Sequence, residues 1–120
     1  NHRDCKGRNI LYFAILNKKY EYIKILFDLR VSSRVNFSLN AINFAVCLDD
    51  IKSLEILLKC GLSVDTLDEI GTSPLIYAIL YNKKKSAEFL IKSGADLELE
   101  DFMGNCAKYL LHSKWNLFKF

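Results

Sequence analysis

An internal repeat is the feature that most constrains the fold of this chain. The stretch DEIGTSPLIYA begins at Asp68, and DFMGNCAKYLL begins 33 positions later at Asp101. A related stretch, DCKGRNILYFA, begins at Asp4, and SLNAINFAV, which begins at Ser38, follows the same phase. The segments YIKILFDLR, SLEILLKCG and SAEFLIKSG share a second pattern. Such a period predicts a stacked array of helical units, in which each unit buries its apolar face against its neighbours.

The third unit shows how one repeat is built. Thr72 or Ser73 can cap a first helix, and Pro74 suits the first turn because its missing N–H needs no partner there. Apolar residues then recur at helical spacing and predict a buried face on each of two helices. These residues are Leu75, Ala78 and Ile79 in the first helix, and Ala87, Leu90 and Ile91 in the second. Residues 82–84 are predicted to separate the two helices.

Turns and a short arm are predicted to connect these helices. Gly7, Gly71 and Gly104 lie at turns that require positive φ, and the Asp three positions before each glycine can bond the backbone of the turn. Gly94 is predicted to end the second helix of its unit. Leucine and glutamate alternate over residues 97–100, which predicts a short extended arm that leads into the next turn.

The combined pattern resembles that of ankyrin-repeat proteins over the whole chain. The third unit is similar to the family sequence G-x-T-P-L-H-x-A…L-L…G-A-D-V-N at Gly71, Pro74, Leu75, Ala78, Leu90, Ile91, Gly94, Ala95 and Asp96. The resemblance implies an all-α fold, an α-solenoid of stacked helix–turn–helix ankyrin repeats with short β-hairpin-like arms. It also implies one domain, 1–120, with repeats at approximately 4–37, 38–67, 68–100 and, in part, 101–120.

Departures from the family pattern carry their own expectations. Ser38 stands where a turn glycine is usual, so we expect a distorted or missing hairpin tip there. The fourth unit has Ala107 at the proline position and Lys108 at a leucine position, and it stops at Phe120. The opening sequence NHRD is similar to DTLD at residues 65–68, at the end of a repeat arm. We therefore expect the chain to be a stretch of a longer array.

The composition favours a folded protein and argues against several classes. The chain is 51% hydrophobic and 26% charged, which predicts folding rather than disorder. Its formal net charge of +3 is too small to indicate a nucleic-acid or membrane partner. The sequence contains no signal peptide and no apolar run long enough to span a bilayer. We therefore expect an intracellular protein, located in the cytoplasm, the nucleus or both.

No motif for catalysis or cofactor binding is present in the sequence. It contains no Gly-rich phosphate loop, HExxH or GxSxG, so we predict a protein that is not an enzyme and binds no cofactor. Cys47 and Cys60 lie in apolar helical contexts and are predicted to be buried thiols, whereas Cys106 occupies a helix-capping position. His2 and His112 have no second ligand at metal-binding spacing, so no metal site is predicted.

The resemblance to ankyrin proteins implies a partner surface along the hairpin tips and the concave face of the first helices. The tip positions are Cys5, Lys6, Glu69, Ile70, Phe102 and Met103. The positions after the turns are Arg8, Leu39, Thr72 and Asn105, and the ends of the first helices are Leu16, Asn17, Cys47, Leu48, Leu80, Tyr81, Ser113 and Lys114.

Several of these positions are apolar and are predicted to form one exposed patch. They are Leu48, Ile70, Leu80, Tyr81, Phe102 and Met103. An exposed apolar patch that includes aromatic residues is typical of a protein interface. The alternative is that Leu80 and Phe102 pack into neighbouring repeats.

The leading interpretation is a non-catalytic scaffold or adaptor that binds another protein, as a monomer or as part of a longer repeat array. One alternative is a substrate-recruiting segment of a larger enzyme or ubiquitin-ligase adaptor. A second follows from the irregular repeats and the Lys-, Ile-, Asn- and Tyr-rich composition, which resemble ankyrin proteins of large DNA viruses that antagonise host defence signalling. Nucleic-acid binding through the lysines of residues 82–85 is a third, and it predicts a steep loss of affinity with salt.

Overall fold

The computed structural model describes residues 8–35, 40–68, 71–101 and 104–111. Within these ranges the chain forms short helices connected by tight turns. They are α1 (Ile10–Leu16), α2 (Tyr20–Asp28), α3 (Ala41–Cys47), α4 (Ile51–Lys59), α5 (Pro74–Leu80), α6 (Lys84–Lys92) and α7 (Ala107–Leu110). The longest contain nine residues, and none in the described part is long and apolar enough to cross a membrane.

The helices stack as pairs in two parallel rows. In the inner row α1 packs on α3, α3 on α5 and α5 on α7, and in the outer row α2 packs on α4 and α4 on α6. The chain is correspondingly elongated, with extents of 41 × 26 × 20 Å. This architecture confirms the predicted all-α solenoid of helix–turn–helix units.

The hydrophobic core lies between the two rows and continues from one pair to the next. Its largest fully buried side chains come from all three complete pairs. They include Leu11, Ile15, Ile23, Ile42, Leu54, Leu57, Leu75, Ile76, Ile79 and Leu90. Of the six residues predicted to form the buried faces of the third unit, five are buried and Ile91 is partly exposed. Because each pair buries its apolar residues against the next pair, no unit forms a closed core by itself.

Polar side chains fix the beginning of the inner helices α1, α3 and α5. Asn9, Asn40 and Ser73 each accept a hydrogen bond from the backbone N–H three residues later, at 3.0, 2.8 and 3.3 Å. Pro74 follows Ser73 in the first turn, as predicted. Cys106 holds the equivalent position before α7 but makes no side-chain capping bond. A side-chain cap is typically worth about 1 kcal/mol, so the inner helices begin at defined residues.

The predicted Asp-x-x-Gly turns are present before α5 and α7. Gly71 and Gly104 adopt φ values of 78° and 81°, which a residue with a Cβ adopts only at a cost. In each turn the Asp three residues earlier accepts a hydrogen bond from the backbone N–H after the glycine. The distances are 3.0 Å to Asp68 Oδ1 and 2.8 Å to Asp101 Oδ1. Local sequence therefore determines these turns.

In the described residues, the arms between the helix pairs contain isolated bridges and no regular strands. These bridges are antiparallel and lie between Arg34 and Asn40 and between Glu100 and Cys106. Residues 97–100 alternate between partly buried and exposed, as predicted, but 97 and 98 form a turn. Asp96 Oδ1 accepts the N–H of Glu98 at 2.9 Å and so bends the backbone where an extended arm was expected.

The turns between paired helices contain residues in the left-handed region without glycine. Lys18, Asp49 and Asn82 have φ values of 58°, 53° and 59°. The predicted break at residues 82–84 lies one residue earlier, because Lys84 is already the first residue of α6. Asn tolerates this conformation better than most residues, whereas Lys gains nothing from it. All three turns lack glycine, so the sequence did not indicate that these residues adopt the left-handed conformation.

Candidate functional site

A row of exposed apolar side chains lies where the inner helices end. Leu16 and Leu80 are the last residues of α1 and α5, and Leu48 and Tyr81 directly follow α3 and α5. These four side chains, termed here the inner-helix row, are between 39% and 57% exposed. Because α1, α3 and α5 stack side by side, their ends form one continuous edge. Large apolar residues recurring at one edge are typical of an interaction surface.

The aromatic member of this row is held by a buried neighbour. The ring of Tyr81 stacks on that of Tyr77, with 5.6 Å between ring centroids and an interplanar angle of 19°. Tyr77 is buried in the core. Burial, together with the carboxylate of Asp68, raises the pKa of the Tyr77 hydroxyl, so it stays neutral. An exposed ring that is already ordered loses little conformational freedom on binding.

Two acidic residues next to the row are engaged in the packing of the helix pairs. Asp49 Oδ1 accepts hydrogen bonds from the N–H and the hydroxyl of Ser86, at 3.2 and 2.6 Å. Asp49 therefore caps the first turn of α6 in the next pair. Asp50 caps α4 through Ser53 and also accepts the hydroxyl of Tyr20, at 3.1 and 3.0 Å to its two oxygens. Both carboxylates thus serve the stacking of neighbouring pairs.

Lysine side chains dominate the turns beside the inner-helix row. The group termed here the basic rim is Lys18, Lys19, Lys83, Lys84 and Lys85. Lys83 is partly buried, and the other four lysines are exposed. The five lysines outnumber the neighbouring carboxylates of Asp49 and Asp50, so the rim presents an excess of positive charge.

Arg8, a predicted binding residue, lies at the opposite end of α1 from Leu16. Its guanidinium carbon is 5.5 Å from the ring centroid of Tyr12 and 5.1 Å from that of Phe13. Such a position over aromatic rings is typical of a cation–π contact. Arg8 is partly exposed and held near the start of the inner helix.

The other predicted binding residues divide into three groups. Thr72 was predicted to face the partner, but it is buried, and its carbonyl accepts the side-chain amide of Asn43 at 3.3 Å. Asn17 and Asn105 are exposed and Cys47 is partly buried. The remaining positions lie outside the described residues: Cys5, Lys6, Leu39, Glu69, Ile70, Phe102, Met103, Ser113 and Lys114. The structure therefore brings together Leu48, Leu80 and Tyr81 from the predicted patch, with Leu80 exposed rather than packed into a neighbouring repeat.

The thiols of the described residues have no reactive surroundings. Cys47 and Cys60 are partly buried rather than fully buried as predicted. Burial raises the pKa of both thiols, which keeps them protonated and weakly nucleophilic. Within the described ranges no three His, Cys, Asp or Glu side chains come together in a way that could hold a metal ion.

A second exposed apolar surface was missed in the sequence. It lies on the side of α1 and α2 that faces away from α3 and α4, and it consists of Ile10, Phe13, Tyr22, Ile25 and Leu29, termed here the end face. The sequence signal that could have revealed it is the size of the residues at equivalent positions of successive units. The first unit has large residues at positions where later units have alanine or serine.

Comparison with known proteins identifies the fold family. A family model for ankyrin repeats, comprising three copies, matches residues 28–101. The chain belongs to the ankyrin-repeat family. Ankyrin repeats are protein–protein interaction modules.

Two relatives and a solved structure are similar to this chain. The chain is 30% identical over 95 residues to the potassium channel AKT2/3 of Arabidopsis thaliana, and 35% identical over 75 residues to an ankyrin repeat protein of Borreliella burgdorferi. These matches cover 79% and 61% of this chain but only 12% and 34% of the relatives. The crystal structure of the ankyrin repeat domain of Bcl-3, a member of the IkappaB protein family, has a similar fold. Its TM-score is 0.80 at 22% identity, with 90% of this chain and 49% of that chain covered.

Proposed function

We propose that this ankyrin-repeat chain is a non-catalytic scaffold or adaptor that binds a protein partner through the inner-helix row. The observation that carries the proposal is the exposure of Leu16, Leu48, Leu80 and Tyr81 at equivalent ends of successive inner helices. A folded chain gains nothing in stability by leaving large apolar residues in water at one edge. A partner that covers them gains the free energy of their burial.

The charge around the row indicates the chemistry of the partner. The basic rim borders the apolar side chains, and its five lysines outnumber the neighbouring Asp49 and Asp50. A partner segment with apolar residues flanked by acidic ones matches both the row and the rim. Its apolar residues account for affinity, and its acidic residues account for orientation and association rate.

Further contacts are proposed at the predicted hairpin tips and at the two ends of the concave face of the first helices. They are Lys6, Arg8, Glu69, Ile70, Phe102, Met103 and Lys114. Arg8 supports this extension, because its guanidinium lies over aromatic rings at the start of α1. We further propose that binding takes place inside the cell.

A second candidate function is the recruitment of a partner to a larger protein. The observation that favours it is the small share, 12% and 34%, of the two relatives that this chain covers. In that case the inner-helix row still binds a protein, and a catalytic or transport activity resides elsewhere. The two candidates therefore share one binding surface.

Affinity capture with matched surface variants tests the proposal. The bait is the 120-residue chain with Leu48→Asp and Tyr81→Asp, compared with the unchanged chain and with a Leu67→Asp control. Leu67 is 40% exposed and Leu48 39%, so the control removes a similar apolar area outside the row. We expect the double variant to lose the partners that both other baits retain, by about tenfold or more in recovered amount.

Two further measurements complete this test. Circular dichroism and thermal unfolding should show that all three baits are folded. Lys83→Glu with Lys85→Glu should slow association with an identified partner, more strongly at low salt than at high salt. Equal capture by the double variant and the control would exclude the inner-helix row as the binding surface.

A further inference from the structure

The inner-helix row repeats at a regular interval along the stack. The helices α1, α3 and α5 each contain seven residues and pack side by side, and the row lies along their ends. Packed helices lie about 8–10 Å apart, so each step along the row is about that long. Each step brings one large apolar side chain, or two in the case of Leu80 and Tyr81.

The turns along this edge already use their main-chain hydrogen-bond donors. In the three residues that follow α1, every N–H donates to a carbonyl of α1, and the same holds after α3 and after α5. The N···O distances lie between 2.7 and 3.3 Å, for example 2.8 Å from Lys19 to Ala14 and 2.7 Å from Lys83 to Ala78. A partner that binds as an added β-strand needs such donors to be available. These N–H groups therefore cannot pair with the main chain of an extended segment.

Charge is distributed unevenly along the row. The turn after α1 contains Lys18 and Lys19, and residues 83–85, which are three lysines, follow α5. The turn after α3 instead contains Asp49 and Asp50. Positive charge therefore lies beside both ends of the row and negative charge beside its middle. A complementary segment has acidic residues near both of its ends and none at its centre.

We propose that the inner-helix row is occupied by a single amphipathic α-helix of the partner, which lies along the row across the ends of α1, α3 and α5. This inference rests on the proposed function, because it takes the row to be the binding surface. The partner helix presents large apolar side chains seven residues apart, since seven residues rise about 10.5 Å in an α-helix. It carries acidic residues near each end, opposite the lysines that follow α1 and α5.

An α-helix matches this surface better than an extended segment does. It satisfies its own main-chain hydrogen bonds, so it needs none from turns whose N–H groups are already engaged. Side chains on one face of a β-strand recur about every 6.6 Å, which does not match helices about 8–10 Å apart. A polyproline II segment repeats about every 9.3 Å, but it has no internal hydrogen bonds and needs partners for its main chain along its whole length.

Selection of peptides on the intact chain tests the shape of the occupant. A displayed library of random peptides of about 18 residues, which span about 27 Å as a helix, is selected on the unmodified chain. Peptides that also bind the Leu48→Asp, Tyr81→Asp double variant are removed by counter-selection. We expect enriched sequences with large apolar residues at i, i+3 or i+4, and i+7, and with Asp or Glu near both ends. Alternating apolar residues, a PxxP pattern or the absence of enriched sequences would overturn the proposal.

Measurements on the most enriched peptide decide whether it binds as a helix. Proline at a central position outside the apolar face should weaken binding by about 100-fold, because proline breaks a helix. Alanine at the same position should weaken binding by less than about threefold. The ¹³C chemical shifts of the labelled peptide in the complex should be helical. Extended shifts, or equal affinities of the proline and alanine peptides, would contradict the helical occupant.

Paired substitutions in the chain test where the acidic residues of the helix lie. Lys19→Glu with Lys85→Glu places negative charge beside both ends of the row. Lys24→Glu with Lys92→Glu makes the same change at exposed positions of α2 and α6 and is the matched control. At low salt we expect the first variant to weaken binding of the peptide by about tenfold and the control by less than about twofold. Equal effects would overturn the placement of the acidic residues.

The outcomes distinguish a failure of this inference from a failure of the proposed function. If affinity capture depends on Leu48 and Tyr81 but the selected peptides bind in extended form, the row is a binding surface and only the helical occupant is wrong. If capture does not depend on these residues, both proposals are wrong. Capture that depends on the row, together with helical peptides, supports both.

Discussion

The first helix pair, α1 and α2, and the second pair, α3 and α4, have the same architecture but different surroundings. In α3 six consecutive residues, from Ala41 to Val46, are buried, because α1 lies on one side and α5 on the other. In α1 only Leu11, Ala14 and Ile15 are buried. The comparison shows that burial in this protein depends on the neighbouring pairs as well as on the sequence of each helix.

The two pairs also differ in local signals. Asp50 caps α4 through Ser53, whereas Lys19 at the start of α2 makes no side-chain capping bond. After α4 the left-handed position is Gly61, and after α2 it is Arg30, with φ values of 103° and 61°. The first pair therefore lacks a covered face, and its outer helix α2 lacks favourable ends, so we expect it to be the less stable of the two.

Substitution of the equivalent phenylalanines by alanine should give the largest difference in lost stability between the two pairs. Phe44 is buried and its ring stacks on Tyr12 at 4.4 Å between centroids, whereas Phe13 is 37% exposed. We expect Phe44→Ala to lower the free energy of unfolding by about 3–4 kcal/mol and Phe13→Ala by about 1 kcal/mol. Urea unfolding followed by circular dichroism measures both. Equal losses would show that the end face is already covered in the isolated chain.

Removal of the cap of α4 should have the next largest effect. Asp50→Ala leaves the N–H of Ser53 without its partner and also removes the acceptor of the Tyr20 hydroxyl, so we expect a loss of about 1–2 kcal/mol. The reciprocal change, Lys19→Asp, supplies a cap to α2 and should add about 0.5–1 kcal/mol. Thermal and urea unfolding of both variants would test this. A neutral Asp50→Ala would mean that packing alone positions α4.

Local rules account for those parts of the fold that the sequence predicted correctly. The turns at Gly71 and Gly104 and the cap at Ser73 depend on residues within a few positions, so their patterns could be read directly. The stacked architecture followed from the period of the repeat. For the site, the resemblance to ankyrin proteins indicated Leu48, Leu80 and Tyr81 as surface positions, and all three are exposed.

Contacts between units account for what the sequence did not reveal. Asp49 caps a helix of the next pair, 37 residues away, and no local pattern indicates such a bond. Thr72 is buried, and its carbonyl accepts the side-chain amide of Asn43 from the preceding pair, 29 residues away. The end face could be recognised only from the structure, because the structure shows which side of α1 faces away from α3. Tertiary context, rather than propensity, decides these positions.

Substitutions at the residues with positive φ after α2 and α4 should change the free energy of unfolding by smaller amounts, with opposite signs in the two pairs. Arg30→Gly relieves the cost of a side chain at φ 61°, and we expect a gain of about 0.5 kcal/mol after the greater entropy of glycine in the unfolded chain is taken into account. Gly61→Ala should cost about 1 kcal/mol, although no atom lies within 4 Å of the added Cβ, because φ is 103°. Chemical unfolding measures both. A loss on Arg30→Gly would indicate a stabilising role for the arginine side chain.

The smallest expected effect is a pH dependence of the free energy of unfolding that appears only at alkaline pH. Burial and the Asp68 carboxylate raise the pKa of Tyr77 above its ordinary value of 10.0, so its contribution to stability is complete below pH 10 and is lost as the pH rises further. Between pH 9 and pH 11, we expect the unfolding free energy to fall more steeply in the unmodified chain than in Tyr77→Phe. Phe13→Tyr, at the equivalent but exposed position of the first pair, should add no such dependence. Parallel pH profiles of the unmodified chain and Tyr77→Phe would contradict this expectation.

Native-state hydrogen exchange, resolved for each helix, tests most directly whether neighbouring pairs stabilise one another. The account predicts that amides of α1 and α2 exchange through a partial opening whose free energy is at least about 1–2 kcal/mol below that of α3 and α4. It also predicts that amides of α3 and α4 exchange only when their neighbours on both sides open. Equal protection of the first and second pairs, with all amides exchanging through one global unfolding, would contradict it.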